Sequence, residues 1–208
     1  MKSLMQTIIS ILSTITLLLS MLGITFGRTT KSMWDNAYDM NDQRYQVTYH
    51  EKTANTEKEV RYQRDGATVH YTTDYIVAGV KITSIEQYYS KEETNYYNYK
   101  KNIVGAWTKE AVTEEQYNSA VSNNCVSDFK GVFNYEDFEY DEDTKYYKAD
   151  QISHIVSDGQ TDIYKDVIVK LVNNRIVSIN ATQVDVIAVT KTLDVTYTSL
   201  PIILPIVG

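Results

Sequence analysis

The residues able to hold a metal or move a proton are three histidines, one cysteine and a dense acidic run, and their spacing assigns them neither task. His50 falls on the polar face of its strand with Gln46 and Thr48. His70 falls opposite Arg61, a cation that discourages a metal. No two histidines stand four apart on a helix, so no zinc site is expected. The run Glu136, Asp137, Phe138, Glu139, Tyr140, Asp141, Glu142 and Asp143 has carboxylates enough for calcium. It lacks a glycine at the sixth position from Asp137, and Lys148 stands where a bidentate glutamate is needed. On a strand, Asp137, Glu139 and Asp141 share a solvated face and Phe138 and Tyr140 the opposite one. Cys125 reads as a buried thiol without a partner base. There is no G-x-S-x-G, H-E-x-x-H or P-loop. No catalytic residue, metal or cofactor is assigned, and the expectation is a protein that is not an enzyme.

Aromatic residues are the richer signal. The chain has 18 tyrosines among 208 residues, with pairs at Tyr88-Tyr89 and Tyr96-Tyr97 followed by Tyr99 and Trp107. Neighbours on a strand point to opposite sides, so one of each pair should be core and the other able to face glycans or protein partners. Cross-strand aromatic packing accounts for the same pattern. Asn180-Ala181-Thr182 fits a glycosylation acceptor. Asp and Glu outnumber Lys and Arg by 27 to 20, which excludes nucleic acid as a partner. One cysteine means no internal disulfide.

The elements that would position these residues are mostly strands. Residues 166–180, DVIVKLVNNRIVSIN, form a hairpin around Asn173-Asn174, which tolerate the positive φ of a two-residue turn. Leu171 should face Ile176, and Ile168 should face Ile179, on opposite faces, so the hairpin is expected to be covered on both sides. Residues 59–72 form a second hairpin at Asp65-Gly66, pairing Tyr62 with Val69 and Val60 with Tyr71. Tyr45, Val47 and Tyr49 share one face of another strand. Further strands are expected at 76–85, 86–90, 96–101, 103–109, 133–140, 144–148 and 184–189, with Leu193, Val195 and Tyr197 alternating with Asp194, Thr196 and Thr198 after them. Ser32 could cap a short helix through Met33, Trp34, Ala37 and Tyr38. Thr113 and Gln116 frame a capping box for a helix over 113–125 with Tyr117, Ala120, Val121 and Cys125 on one face.

After Lys2, residues 3–27 carry no charge. They read as an export signal, with Thr25 and Gly27 at the −3 and −1 positions before Arg28, or as an uncleaved membrane anchor. The expected layout is 1–27 as leader and 28–208 as one domain, secreted or otherwise extracytoplasmic. No cysteine is present for lipid attachment there.

The order of elements, together with VIVKLVNNRIVSI and the closing YTSLPIILP, resembles the LolA/LppX-type lipoprotein carriers and their secreted relatives. The resemblance covers most of residues 33–205. It implies an α+β, mainly β fold: a curved antiparallel sheet of ten or more strands, a half-barrel, with one to three helices packed on its concave face. It implies a cavity between sheet and helices for a lipid or other apolar molecule. The walls expected of that cavity are Tyr62, Val69, Tyr71 and Trp107 from the first half of the sheet. Tyr117 and Val121 would come from the helix, and Leu193, Val195 and Tyr197 from the last strand. The leading expectation is an exported binding protein, monomeric, with a possible cell-envelope component as partner. The alternative is a surface module that meets proteins or glycans through exposed tyrosines.

Overall fold

The computed structural model describes residues 29–40, 42, 44–156, 159–184, 187–197 and 201–207. The chain divides into the units Met1–Thr30 and Lys31–Gly208, and everything below concerns the second. The expected export segment lies outside the described residues. Among the described residues, no helix is long and apolar enough to cross a membrane.

Among the described residues, eleven strands form one fully antiparallel sheet. In chain order they are β1 (Arg44–Lys52), β2 (Thr56–Asp65), β3 (Thr68–Val77), β4 (Val80–Glu92), β5 (Asn95–Lys101), β6 (Trp107–Val112), β7 (Glu139–Asp141), β8 (Tyr146–Ile155), β9 (Thr161–Val172), β10 (Arg175–Val184) and β11 (Ala188–Thr196). Their order across the sheet is β6-β5-β4-β3-β2-β1-β11-β10-β9-β8-β7. Two meanders therefore lie side by side, joined where the first strand pairs with the last, Val47 opposite Val195 and Tyr49 opposite Leu193. The middle of the chain supplies both edges.

This arrangement corrects the expected half-barrel: the sheet is open and not strongly curled. The physical reason is the connection between β6 and β7. These edge strands do not pair, and residues 113–138 between them must travel the whole width of the sheet, across one face. The route is marked by contacts. Helix α2 (Glu114–Ser122) latches on through Tyr62, whose hydroxyl donates to the Val121 carbonyl at 2.8 Å. Phe129 meets Tyr49 on β1, Phe133 meets Tyr164 on β9, and Phe138 meets Trp34. Trp34 belongs to helix α1 (Lys31–Ala37) and packs against Tyr147 on β8. Its indole N–H donates to the Phe133 carbonyl at 2.9 Å. The covered face holds the core, with Tyr45, Val47, Tyr62, Val69, Val167, Val169, Ile176 and Ile179 all fully buried.

Local signals place most elements. Thr113 and Gln116 make the expected reciprocal capping box. Asn173 and Asn174 both take positive φ, 53° and 58°. The details of pairing differ from expectation at defined points. Leu171 does face Ile176, but an irregularity between Ile176 and Ser178 then sets Ile179 opposite Val169. That extra residue brings Ile176 and Ile179 onto the same buried face, where Leu171 packs partly buried against the core, and the opposite face is not covered: Ile168 is half-buried and Val172 is exposed. In the second hairpin Gly66, with φ +58°, opens a turn over Gly66 and Ala67, and Asp65 pairs with Thr68. Tyr62 consequently faces Tyr71, two residues from the expected partner, although both stay on the expected side.

Three strand boundaries also move. Ala78 and Gly79 form a turn, so β4 is one long strand. Residues 102–106 turn through Gly105, and β6 starts at Trp107. Residues 130–138 are not a strand: Asn134 and Asp137 cap a short 3-10 turn at Tyr135–Asp137. Side-chain competition for backbone groups defeats the strand there.

Candidate functional site

Among the described residues, an open groove of about 780 Å³ lies on the covered face between β3–β6 and α2. That size suits a small organic ligand. Its floor is built from the positions of β3, β4, β5 and β6 that share the core-facing side, Tyr71, Gln87, Tyr89, Asn98, Lys100, Glu110 and Val112. Its wall is Thr113 and the α2 residues Glu115, Gln116, Ser119 and Ala120.

The floor is organised around one amide. Gln87 Oε1 accepts from the Tyr71 hydroxyl at 3.1 Å, from the Tyr89 hydroxyl at 3.3 Å and from Asn98 Nδ2 at 3.1 Å. Three donors on one oxygen assign the amide orientation, with Gln87 Nε2 as the remaining donor. Asn98 is 5% exposed and also reaches the Tyr88 carbonyl. The rings of Tyr71 and Tyr89 lie stacked, centroids 6.0 Å apart and planes 12° apart. Burial pushes the Tyr71 hydroxyl well above the usual phenol range, so it remains a donor. At the rim Lys100 pairs with Glu110 at 2.7 Å. No histidine or cysteine lines this groove.

Of the nine residues expected to line an apolar cavity, Tyr71 is on this groove. Tyr62, Val69, Leu193 and Val195 are buried in the core. Tyr117 and Tyr62 act as latches for α2, the Tyr117 hydroxyl donating to the Ala67 carbonyl at 2.9 Å. Val121 is half-buried and packs on the core. The Tyr197 hydroxyl donates to the Ile176 carbonyl at 3.0 Å, with Arg175 over its ring. Trp107 belongs to the other face of the sheet, edge-on to Tyr88 and under Lys101. Apolar residues here fill the core, and the concavity forms where core-facing positions turn polar.

Gln87, Asn98, Lys100 and Glu110 were not anticipated as site residues. The available signal was polar residues at core-facing positions, visible only once the pairing of β3 to β6 is known.

The uncovered face carries the remaining chemistry. His70 stacks on Tyr88, 4.0 Å between centroids and 9° from parallel, and its Nε2 lies 3.2 Å from Glu86 Oε1. Burial lowers the His70 pKa despite that carboxylate. Asp74 accepts from Lys81 at 2.6 Å, Ser84 at 2.5 Å and Arg61 at 3.0 Å. Burial raises its pKa, but the bonds from Lys81 and Ser84 and the two cations outweigh it and hold the carboxyl below its ordinary value. His50, Glu57 and Glu59 place their ligand atoms close enough for a cation. Lys52 and Arg61 already answer those two carboxylates, at 3.6 and 3.1 Å. Cys125 follows α2 instead of lying on it, and burial pushes its thiol up to about 12.

No family model matches this chain, and no curated protein matches it.

Proposed function

We propose that this chain is a non-enzymatic, extracytoplasmic binding module that holds a polar ligand in the groove between β3–β6 and α2. The observation that carries this reading is the floor: a nearly buried asparagine and a glutamine that gathers three donors, under two stacked tyrosines. Buried polar groups of this kind favour ligands that return hydrogen bonds and penalise ligands that cannot. An acyl chain belongs to the second kind. The uncharged run at residues 3–27 supports export.

Native mass spectrometry of the full chain, made in its own host and released gently, tests the reading. The expected spectrum is a single copy carrying a polar adduct that denaturation releases. Ser119→Trp, which sets an indole into the groove from the exposed side of α2, should abolish the adduct and leave the near-ultraviolet circular dichroism of the core intact. A bare polypeptide mass, or an adduct indifferent to Ser119→Trp, sinks the proposal.

A further inference from the structure

We infer that the ligand class of this groove is a neutral saccharide, docked with a sugar face on the Tyr71/Tyr89 pair and its hydroxyls on the outward amide atoms of Gln87 and Asn98. The inference rests on the binding role proposed above and specifies its chemistry.

Charge removes several alternatives. The groove has one ammonium, Lys100, and two carboxylates, Glu110 and Glu115, and Lys100 is already paired with Glu110. Phosphorylated, sulfated and carboxylated ligands therefore meet an excess carboxylate and no free cation. The chain as a whole carries −7, which repels anions at longer range.

Backbone pairing removes another. An extended peptide is usually held by a free strand edge. Here β3, β4 and β5 are paired on both sides, through Tyr71↔Gln87, Tyr89↔Asn98 and Asn98↔Glu110, and the free edge is that of β6 at the rim, so the floor itself offers side chains only.

What remains matches a sugar. A pyranose has C–H-rich faces that pack on aromatic rings and an edge of hydroxyls that both donate and accept. The groove supplies the matching parts: two stacked, near-parallel phenol rings, a donor in Gln87 Nε2 and an acceptor in Asn98 Oδ1. Neither atom has a protein partner among the described residues. Serine and threonine hydroxyls of the wall, Ser119 and Thr113, add further uncharged groups. The amides are held in place beforehand by the Tyr71, Tyr89 and Asn98 bonds, so little freedom is lost on binding.

The test is an array of neutral and acidic saccharides probed with the full chain, each hit then titrated by calorimetry. The expected hits are neutral. Gln87→Glu keeps the acceptor for Tyr71, Tyr89 and Asn98 and replaces only the outward donor, so it should weaken binding about tenfold with the fold unchanged. Tyr71→Leu should remove binding, and Tyr88→Phe, on the other face, should leave it unaltered. A peptide library screened in parallel separates the two levels of the argument. Peptide binding that Ser119→Trp blocks, with no saccharide bound, overturns the saccharide and leaves the groove standing. Saccharide binding that ignores Gln87→Glu and Ser119→Trp overturns both.

Discussion

Asp74 shows how a single side chain is held on the solvent-facing side of this sheet. Its side chain is 3% exposed because Arg61, Lys81 and Ser84 lie over it. Removing the carboxylate leaves two cations facing each other without their shared partner. Asp74→Ala is expected to cost about 1–3 kcal/mol, read as a shift of the urea midpoint at pH 7. The same carboxyl makes a pH prediction. Its folded pKa is below the ordinary 3.8, so its stabilising contribution is complete above that value and is lost as pH falls through the lower folded pKa. Acid titration of stability should therefore be shallower in Asp74→Asn than in the parent below about pH 4. An unchanged acid limb would show that the cluster is incidental.

At the scale of elements, α2 is the part on which the groove depends. Only 9 residues long, it is too short to be stable alone and relies on its cap and its latches. Thr113 Oγ1 accepts from the Gln116 N–H at 3.2 Å, and Gln116 Oε1 accepts from the Thr113 N–H at 2.9 Å. Thr113→Ala should cost about 1 kcal/mol in chemical denaturation. Hydrogen exchange should show the loss concentrated in α2, because the helix can fray from the floor without the sheet opening. Uniform loss of protection across β1 and β11 would instead mean that α2 and the central strands open as one unit.

For the molecule as a whole, the seam of aromatic residues under residues 113–138 ties the two meanders together. Trp34 sits at its far end, fully buried, touching Tyr38, Tyr135, Phe138 and Tyr147. Trp34→Ala removes that anchor and its bond to the Phe133 carbonyl, and is expected to cost about 3–5 kcal/mol. Since residues 31–208 form one compact unit, near- and far-ultraviolet signals should melt together in both proteins. Separate transitions in the parent would show that the meanders fold independently despite the β1–β11 pairing.

Sequence alone determined what depends on neighbours along the chain. The alternation of Tyr45, Val47 and Tyr49 with Gln46, Thr48 and His50 was enough to assign faces. The Asn173-Asn174 turn and the Thr113/Gln116 box were legible because their mechanisms operate within four residues. Two matters lay beyond that range. Single extra residues, such as the one between Ile176 and Ser178, flip every side chain that follows, and only burial chooses where they fall. The pairing of β1 with β11 joins residues about 150 positions apart, and it sets β6 and β7 at opposite edges, so that residues 113–138 between them cross one face. Gln87, Asn98 and Glu110 are unremarkable polar residues on separate strands. Tertiary pairing aligned them beneath α2 as the floor of one polar groove.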